Sequence, residues 1–184
     1  ELGTPIAPGR FKRGFGMKRT RSSDEFHGWS KEPAESSRIT NRKEELYREI
    51  VAATEIAPLP GVVQWLARLA DAGVPCAVAS STHRLNIDAV LTRLGLENAF
   101  SAIISAEDVT HGKPHPEVFT KAAERLRVAP TRCVVFEDAH VGIEAAHPAG
   151  MKVVAVTTTH AAEALNAADL VVRQLEELPV GRVE

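Results

Sequence analysis

The chain has 184 residues, with 22 Lys and Arg against 24 Asp and Glu and a formal net charge of −2. Hydrophobic residues make up 44% and charged residues 25%, a balance that suits one globular domain with a sizeable core. No apolar run approaches the roughly 18 residues of a membrane helix and no secretory leader opens the sequence, so the expectation is a cytoplasmic protein with no membrane partner.

Charge is unevenly spread. The first 50 residues hold 11 basic and 8 acidic side chains, and the remainder 11 and 16. Six bases and no acid fall between Arg10 and Arg21. Only Phe11 and Phe15 accompany them as aromatics, without a nucleic-acid-binding motif, so a solvated face or an anionic-substrate contact is expected rather than nucleic acid. Residues 1–57 are polar and helix-compatible. The clearest helix there runs from Asn41 to Ala53, where Leu46, Ile50 and Ala53 recur at helical spacing. Pro58 and Pro60 break helix and mark a boundary.

Beyond Pro60 the pattern alternates. A helix over 61–72 closes at Gly73, which suits a left-handed cap, and Val74 to Ala79 reads as a buried strand. A helix from Arg84 to Leu94 ends at Gly95, and Phe100 to Ser105 reads as the next strand. Helix follows over 117–126, strand over 132–136, and helix over 141–149, where Pro148 should kink or end the helix. A strand over 152–157, a short Ala-rich helix and a last strand over 170–172 complete the series. Strands apolar throughout and separated by single helices indicate a parallel sheet covered on both faces, a doubly wound (Rossmann-like) α/β fold. Cys76 and Cys133 lie far apart in apolar runs and read as buried free thiols in a reducing compartment.

In such a sheet, ligands bind at the carboxyl ends of the strands. Three polar clusters stand there: Ser80-Ser81-Thr82, the Gly112-Lys113-Pro114 loop, and Glu137-Asp138. Ser80 and Lys113 are 33 residues apart, and Lys113 and Glu137 are 24 apart, about one strand–helix unit each. Taken singly, the hydroxyls could cap a helix, the lysine could be solvated, and the carboxylates could be a cap and a surface charge. Their order at three successive strand tips points to one site instead. His111 and His115 are four apart, but Gly112 and Pro114 argue against a helix presenting both to a metal. A serine hydrolase would need a G-x-S-x-G elbow and a dinucleotide site a G-x-G-x-x-G turn; neither occurs.

The stretches VASSTHR (78–84), HGKPHPEVF (111–119) and VVFEDAHVGIEAAHPAGM (134–151) resemble the haloacid dehalogenase superfamily. They are similar in particular to its helical-capped branch of beta-phosphoglucomutase and small sugar-phosphate phosphatases. PLPGV (58–62) and FGMK (15–18) are weaker echoes, the latter of a substrate-facing cap loop. The resemblance implies an α/β core over 58–184 and a small, incomplete helical cap over 1–57. It implies a Mg²⁺-dependent phosphatase acting on a small phosphorylated metabolite through an aspartyl-phosphate, with a phosphosugar mutase or a non-catalytic phosphate- or metal-binding remnant as alternatives. Ser80 and Lys113 would be catalytic, Ser80, Ser81, Thr82 and Lys113 would hold phosphate, and Glu137 and Asp138 would hold Mg²⁺. The family's nucleophile and its general acid/base form an Asp-x-Asp pair at the tip of a strand ahead of the cap. No such pair occurs in these 184 residues, so the expectation is a fragment of a longer protein, inactive without that segment, and a monomer or weak dimer.

Overall fold

The structure, a computed structural model, describes residues 32–178. The basic stretch over 10–21 and the FGMK segment lie outside the described residues. In chain order the elements are α1 (Pro33–Ala53), α2 (Val62–Asp71), β1 (Ala77–Ala79), α3 (Arg84–Leu94), β2 (Ala102–Ile104), α4 (Glu117–Leu126), β3 (Val134–Glu137), α5 (His140–Ala146), β4 (Lys152–Val156) and β5 (Leu170–Val172). Short 3-10 turns follow β2, precede β3 and flank β5.

Among the described residues all strand pairs are parallel. The pleat of β4 shows why the sheet is covered on both faces. Val153 and Ala155 point into a core with Ile143 of α5 and Phe119 and Ala123 of α4. Their neighbours Val154 and Val156 point the opposite way, into a second cluster with Trp65 of α2, Val172 and Leu178. Trp65 also donates its indole N–H to the Leu175 carbonyl at 2.8 Å, fixing α2 across that face. The doubly wound reading therefore holds, with one difference. The ladder is interrupted: β1 pairs with β2, β3 with β4 and β4 with β5, while β1 and β3 are not joined.

Helix ends follow local chemistry. Gly73 and Gly95 both take positive φ, +66°, where a side chain would be strained. α5 stops at Ala146, ahead of Pro148, whose ring cannot continue the helical ladder. β1 begins three residues later than Val74, because Pro75 has no N–H to give to a ladder. β3 runs one residue further than expected and includes Glu137.

Three expectations are corrected. α1 starts eight residues before Asn41, with Pro33 in its first turn, where a missing N–H costs nothing. Its buried side is not the Leu46, Ile50 and Ala53 stripe: Ile50 is 61% exposed among the described residues, while Ser36, Thr40, Glu44 and Val51 are buried. The cause is polar. α1 packs on α3, where Asn86 donates to Glu44 Oε2 at 2.5 Å and accepts from Arg48 at 2.9 Å, so the contact is satisfied by hydrogen bonds rather than by aliphatic surface. Cys76 and Cys133 are free but only half-buried, and burial pushes both thiols up.

Candidate active site

Each of the three sequence clusters lies at the carboxyl end of its strand. At the tip of β1, the Ser80 N–H donates to the Ile104 carbonyl at 2.9 Å, extending the pairing with β2 by one step. The chain then turns back, and the Thr82 N–H donates to Ser80 Oγ at 3.2 Å. That bond occupies a lone pair of Oγ and leaves the hydroxyl proton to donate elsewhere. Ser80, Ser81 and Thr82 are all half-buried.

After β2, Ser105 donates both its N–H and its hydroxyl to Asp108 Oδ2, at 2.8 and 2.7 Å. Those bonds hold the Asp108 carboxyl below its usual range. The next loop is tied by Glu117, the first residue of α4. Its carboxylate accepts the Thr110 N–H at 2.9 Å and the His111 N–H at 2.8 Å, and meets Lys121 at 2.9 Å. These contacts hold Glu117 well below the usual carboxylate range. Anchored this way, the loop sends Lys113 inward.

Lys113 is 6% exposed. Its Nζ donates to Glu137 Oε2 at 2.6 Å and sits 4.7 Å from the centre of the Phe119 ring. The Glu137 side chain is 8% exposed, so both charges are out of water. A buried pair of this kind is costly to break from one side, about 3–5 kcal/mol, because the remaining charge is left uncompensated. The loop after β2 is thereby fastened to the tip of β3. Space for Glu137 depends on Gly142 in α5, since a Cβ at that position would fall 2.0 Å from Glu137 Cδ.

Asp138 turns towards the tip of β4. Its Oδ2 accepts the hydroxyl of Thr159 and, at 3.3 Å, that of Thr158, and its carbonyl accepts from His160 Nδ1 at 3.0 Å. Thr158, Thr159 and His160 are neighbours of the candidate site that the sequence reading passed over. They directly follow an apolar strand, so the strand-tip rule applied to the fourth strand finds them. Glu137 and Asp138 give hard carboxylate oxygens on consecutive residues, one braced by an ammonium and one by hydroxyls. This donor set suits a cation that takes one or two carboxylates and keeps several waters, as Mg²⁺ does.

Among the described residues no hydrogen bond joins Ser80 to Lys113 or Glu137. Between them lies the break in the sheet. A cavity of about 810 Å³ occupies it, lined by Ala77, Val78 and Ala79 of β1, by Val134 and Phe136 of β3, and by Phe119. Val134 and Phe136 are 36% and 39% exposed although they belong to a strand next to the core. The edges of β1 and β3 thus both line one apolar slot.

Residues 9–150 match the haloacid dehalogenase-like hydrolase family. The chain belongs to that family. Its branch is that of beta-phosphoglucomutase and the sugar phosphatases. The chain is 36% identical over 169 residues to the chloroplastic 5-amino-6-(5-phospho-D-ribitylamino)uracil phosphatase of Arabidopsis thaliana, covering 92% of this chain and 45% of that protein. It is 38% identical over 141 residues to the validoxylamine A 7'-phosphate phosphatase of Streptomyces hygroscopicus subsp. limoneus, covering 73% and 66%. Among solved structures, the beta-phosphoglucomutase of Clostridium difficile superposes with a TM-score of 0.84 at 28% identity, over 97% of this chain and 81% of that one. The chain therefore spans about half to two thirds of the length of these curated relatives.

Proposed function

We propose that this chain supplies the phosphate-binding, charge-balancing and Mg²⁺-holding parts of a phosphatase acting on small sugar phosphates. One observation carries the reading: the buried ion pair at 2.6 Å between Lys113 and Glu137, which fastens the loop after β2 to the carboxyl end of β3. A solvated loop lysine has no reason to be there; an ammonium beside a phosphoryl group and carboxylates does. The two phosphatases named above, each above 30% identity, support the same substrate class.

Ser80 donates its hydroxyl proton to a phosphoryl oxygen, with the Ser81 N–H at the same turn, while the Thr82 N–H, given to Ser80 Oγ, keeps that hydroxyl in place. Lys113 balances the negative charge of the transferring group. Glu137 and Asp138 hold Mg²⁺, which when bound neutralises phosphoryl oxygen charge. An aspartate carboxylate forms the new O–P bond as the bond from phosphorus to the sugar oxygen breaks. The sugar oxygen takes a proton from a neighbouring acid, and water then cleaves the aspartyl-phosphate to regenerate the carboxylate. No Asp-x-Asp pair is present in the 184 residues, so this reading takes both aspartates from a segment outside them. The slot between β1 and β3 supports a strand entering there. In this reading residues 1–57 belong to a cap and 58–184 to the core.

The likeness to a beta-phosphoglucomutase favours a second reading, transfer of the phosphoryl group between two hydroxyls of one sugar. Phosphorus NMR of a sugar phosphate incubated with Mg²⁺ and the protein extended upstream through its reading frame separates the outcomes. A growing inorganic phosphate signal is the expected result. Conversion to a positional isomer gives the mutase, and an unchanged spectrum across a substrate panel, with an Asp-x-Asp strand in place, leaves a non-catalytic remnant.

A further inference from the structure

We infer that His111, His115 and Glu117 form a site for a divalent transition-metal ion of the zinc class, on the outer side of the loop that carries Lys113. In the phosphoryl-transfer reading none of the three touches the phosphoryl group, and only Glu117 has a part there, tying the loop that carries Lys113. The site is also separate in chemistry from the Glu137 and Asp138 carboxylates.

Helical presentation of the two histidines is prevented by Gly112 and Pro114, but the loop brings them together by another route. The His115 N–H donates to the Gly112 carbonyl at 3.0 Å, folding the chain back on itself. The two imidazole rings then lie 4.6 Å apart, tilted by 36°. Glu117 meets the same pair from the start of α4, with Oε2 3.2 Å from His111 Nδ1. One ligand atom from each of the three residues lies within 4.8 Å of the other two.

A tetrahedral ion with bonds of about 2.0–2.1 Å holds its ligand atoms roughly 3.3 Å apart. The three groups are therefore one modest side-chain rotation from closing on an ion. Both histidines are exposed and can make that rotation without disturbing the core. The Glu117 carboxylate is already fixed by the two loop N–H groups, so it acts as the anchor around which the imidazoles move. Lys121 is the competitor for Glu117, but it approaches Oε1 rather than the Oε2 that faces His111, and its Nζ is also held by the Asp108 carbonyl at 2.6 Å. Two imidazoles and one carboxylate are the donor set of zinc, cobalt and nickel rather than of Mg²⁺, which prefers oxygen and its own waters. Three protein ligands leave the fourth position to water. Because His111 and His115 stand two residues to either side of Lys113, a bound ion cross-braces the loop.

The test is titration of the full chain with Co²⁺ in excess Mg²⁺, read by visible absorption and by calorimetry. The expected result is one Co²⁺ per chain with the visible band of a four-coordinate ion, and a higher melting temperature in its presence. The His111→Ala/His115→Ala double variant should lose the band and the heat of binding while keeping its circular dichroism. Glu117→Gln should weaken binding, and Asp138→Asn should leave it intact. Binding that survives the double variant, binding lost in Asp138→Asn, or no Co²⁺ binding by the unmodified chain would each overturn the assignment.

Discussion

Lys113 and Glu137 occupy one buried ion pair, and the residue that makes room for it is Gly142. In most helices replacing glycine by alanine stabilises by about 0.4–1 kcal/mol, because the unfolded chain loses freedom. Here the added methyl collides with Glu137 Cγ and Cδ, and the expected sign is reversed. Gly142→Ala should destabilise by about 1–3 kcal/mol, the usual cost of overpacking, as measured by urea unfolding. A neutral or stabilising result would show that Glu137 has another place to go. The same residues show what sequence can reveal. Ser80, Lys113 and Glu137 are legible because each follows an apolar run at the spacing of a strand–helix unit. Gly142 is not, since its role is a distance between a helix and the strand before it. The pairing of His111 with His115 is hidden for a related reason: helical periodicity says nothing about two side chains joined by a turn.

Among the elements, β4 is tied at its start by a single carboxylate. Asp169, just ahead of β5, accepts the Val153 N–H at 2.9 Å and pairs with Lys152 at 2.7 Å, and His147 lies 3.5 Å away. The Lys152 and Val153 bonds lower the Asp169 carboxyl from its ordinary 3.8 to about 2. A carboxyl lowered by folding stabilises fully above its ordinary value, and that stabilisation is lost as pH falls through the folded one. Urea midpoints of the wild type and Asp169→Asn should therefore differ at pH 5 and converge between about pH 4 and pH 2. A gap as wide at pH 2 as at pH 5 would contradict this. Helix positions were legible where a glycine stops the helix, as Gly95 does α3, or where a proline and apolar periodicity agree, as for α4 behind Pro116. The buried face of α1 was not, because Glu44 and Asn86 satisfy each other, and a polar interface leaves no hydrophobic stripe to read.

For the molecule as a whole, the strand order is readable as a class but its interruption is not. Apolar runs announce a parallel sheet; they do not say which strands are neighbours. The slot between β1 and β3 leaves backbone N–H and C=O groups along two edges, a template for one more strand. Amide hydrogen exchange provides a check. The N–H groups of β1 and β3 that face the slot should exchange far faster than those of β4, and should become protected when the chain is extended upstream. Unchanged exchange in the extended protein would mean that nothing enters there. Among the described residues no helix is long and apolar enough to cross a membrane.

The central claim is that Lys113 serves phosphoryl transfer from the strand tips, and steady-state kinetics of the upstream-extended protein tests it most directly. With a sugar phosphate and saturating Mg²⁺, Lys113→Ala should lower kcat by orders of magnitude. Lys113→Arg should recover little of it, because a planar fork does not replace a compact charge packed against Glu137 and Phe119. Near-wild-type turnover in a folded Lys113→Ala variant would contradict the account.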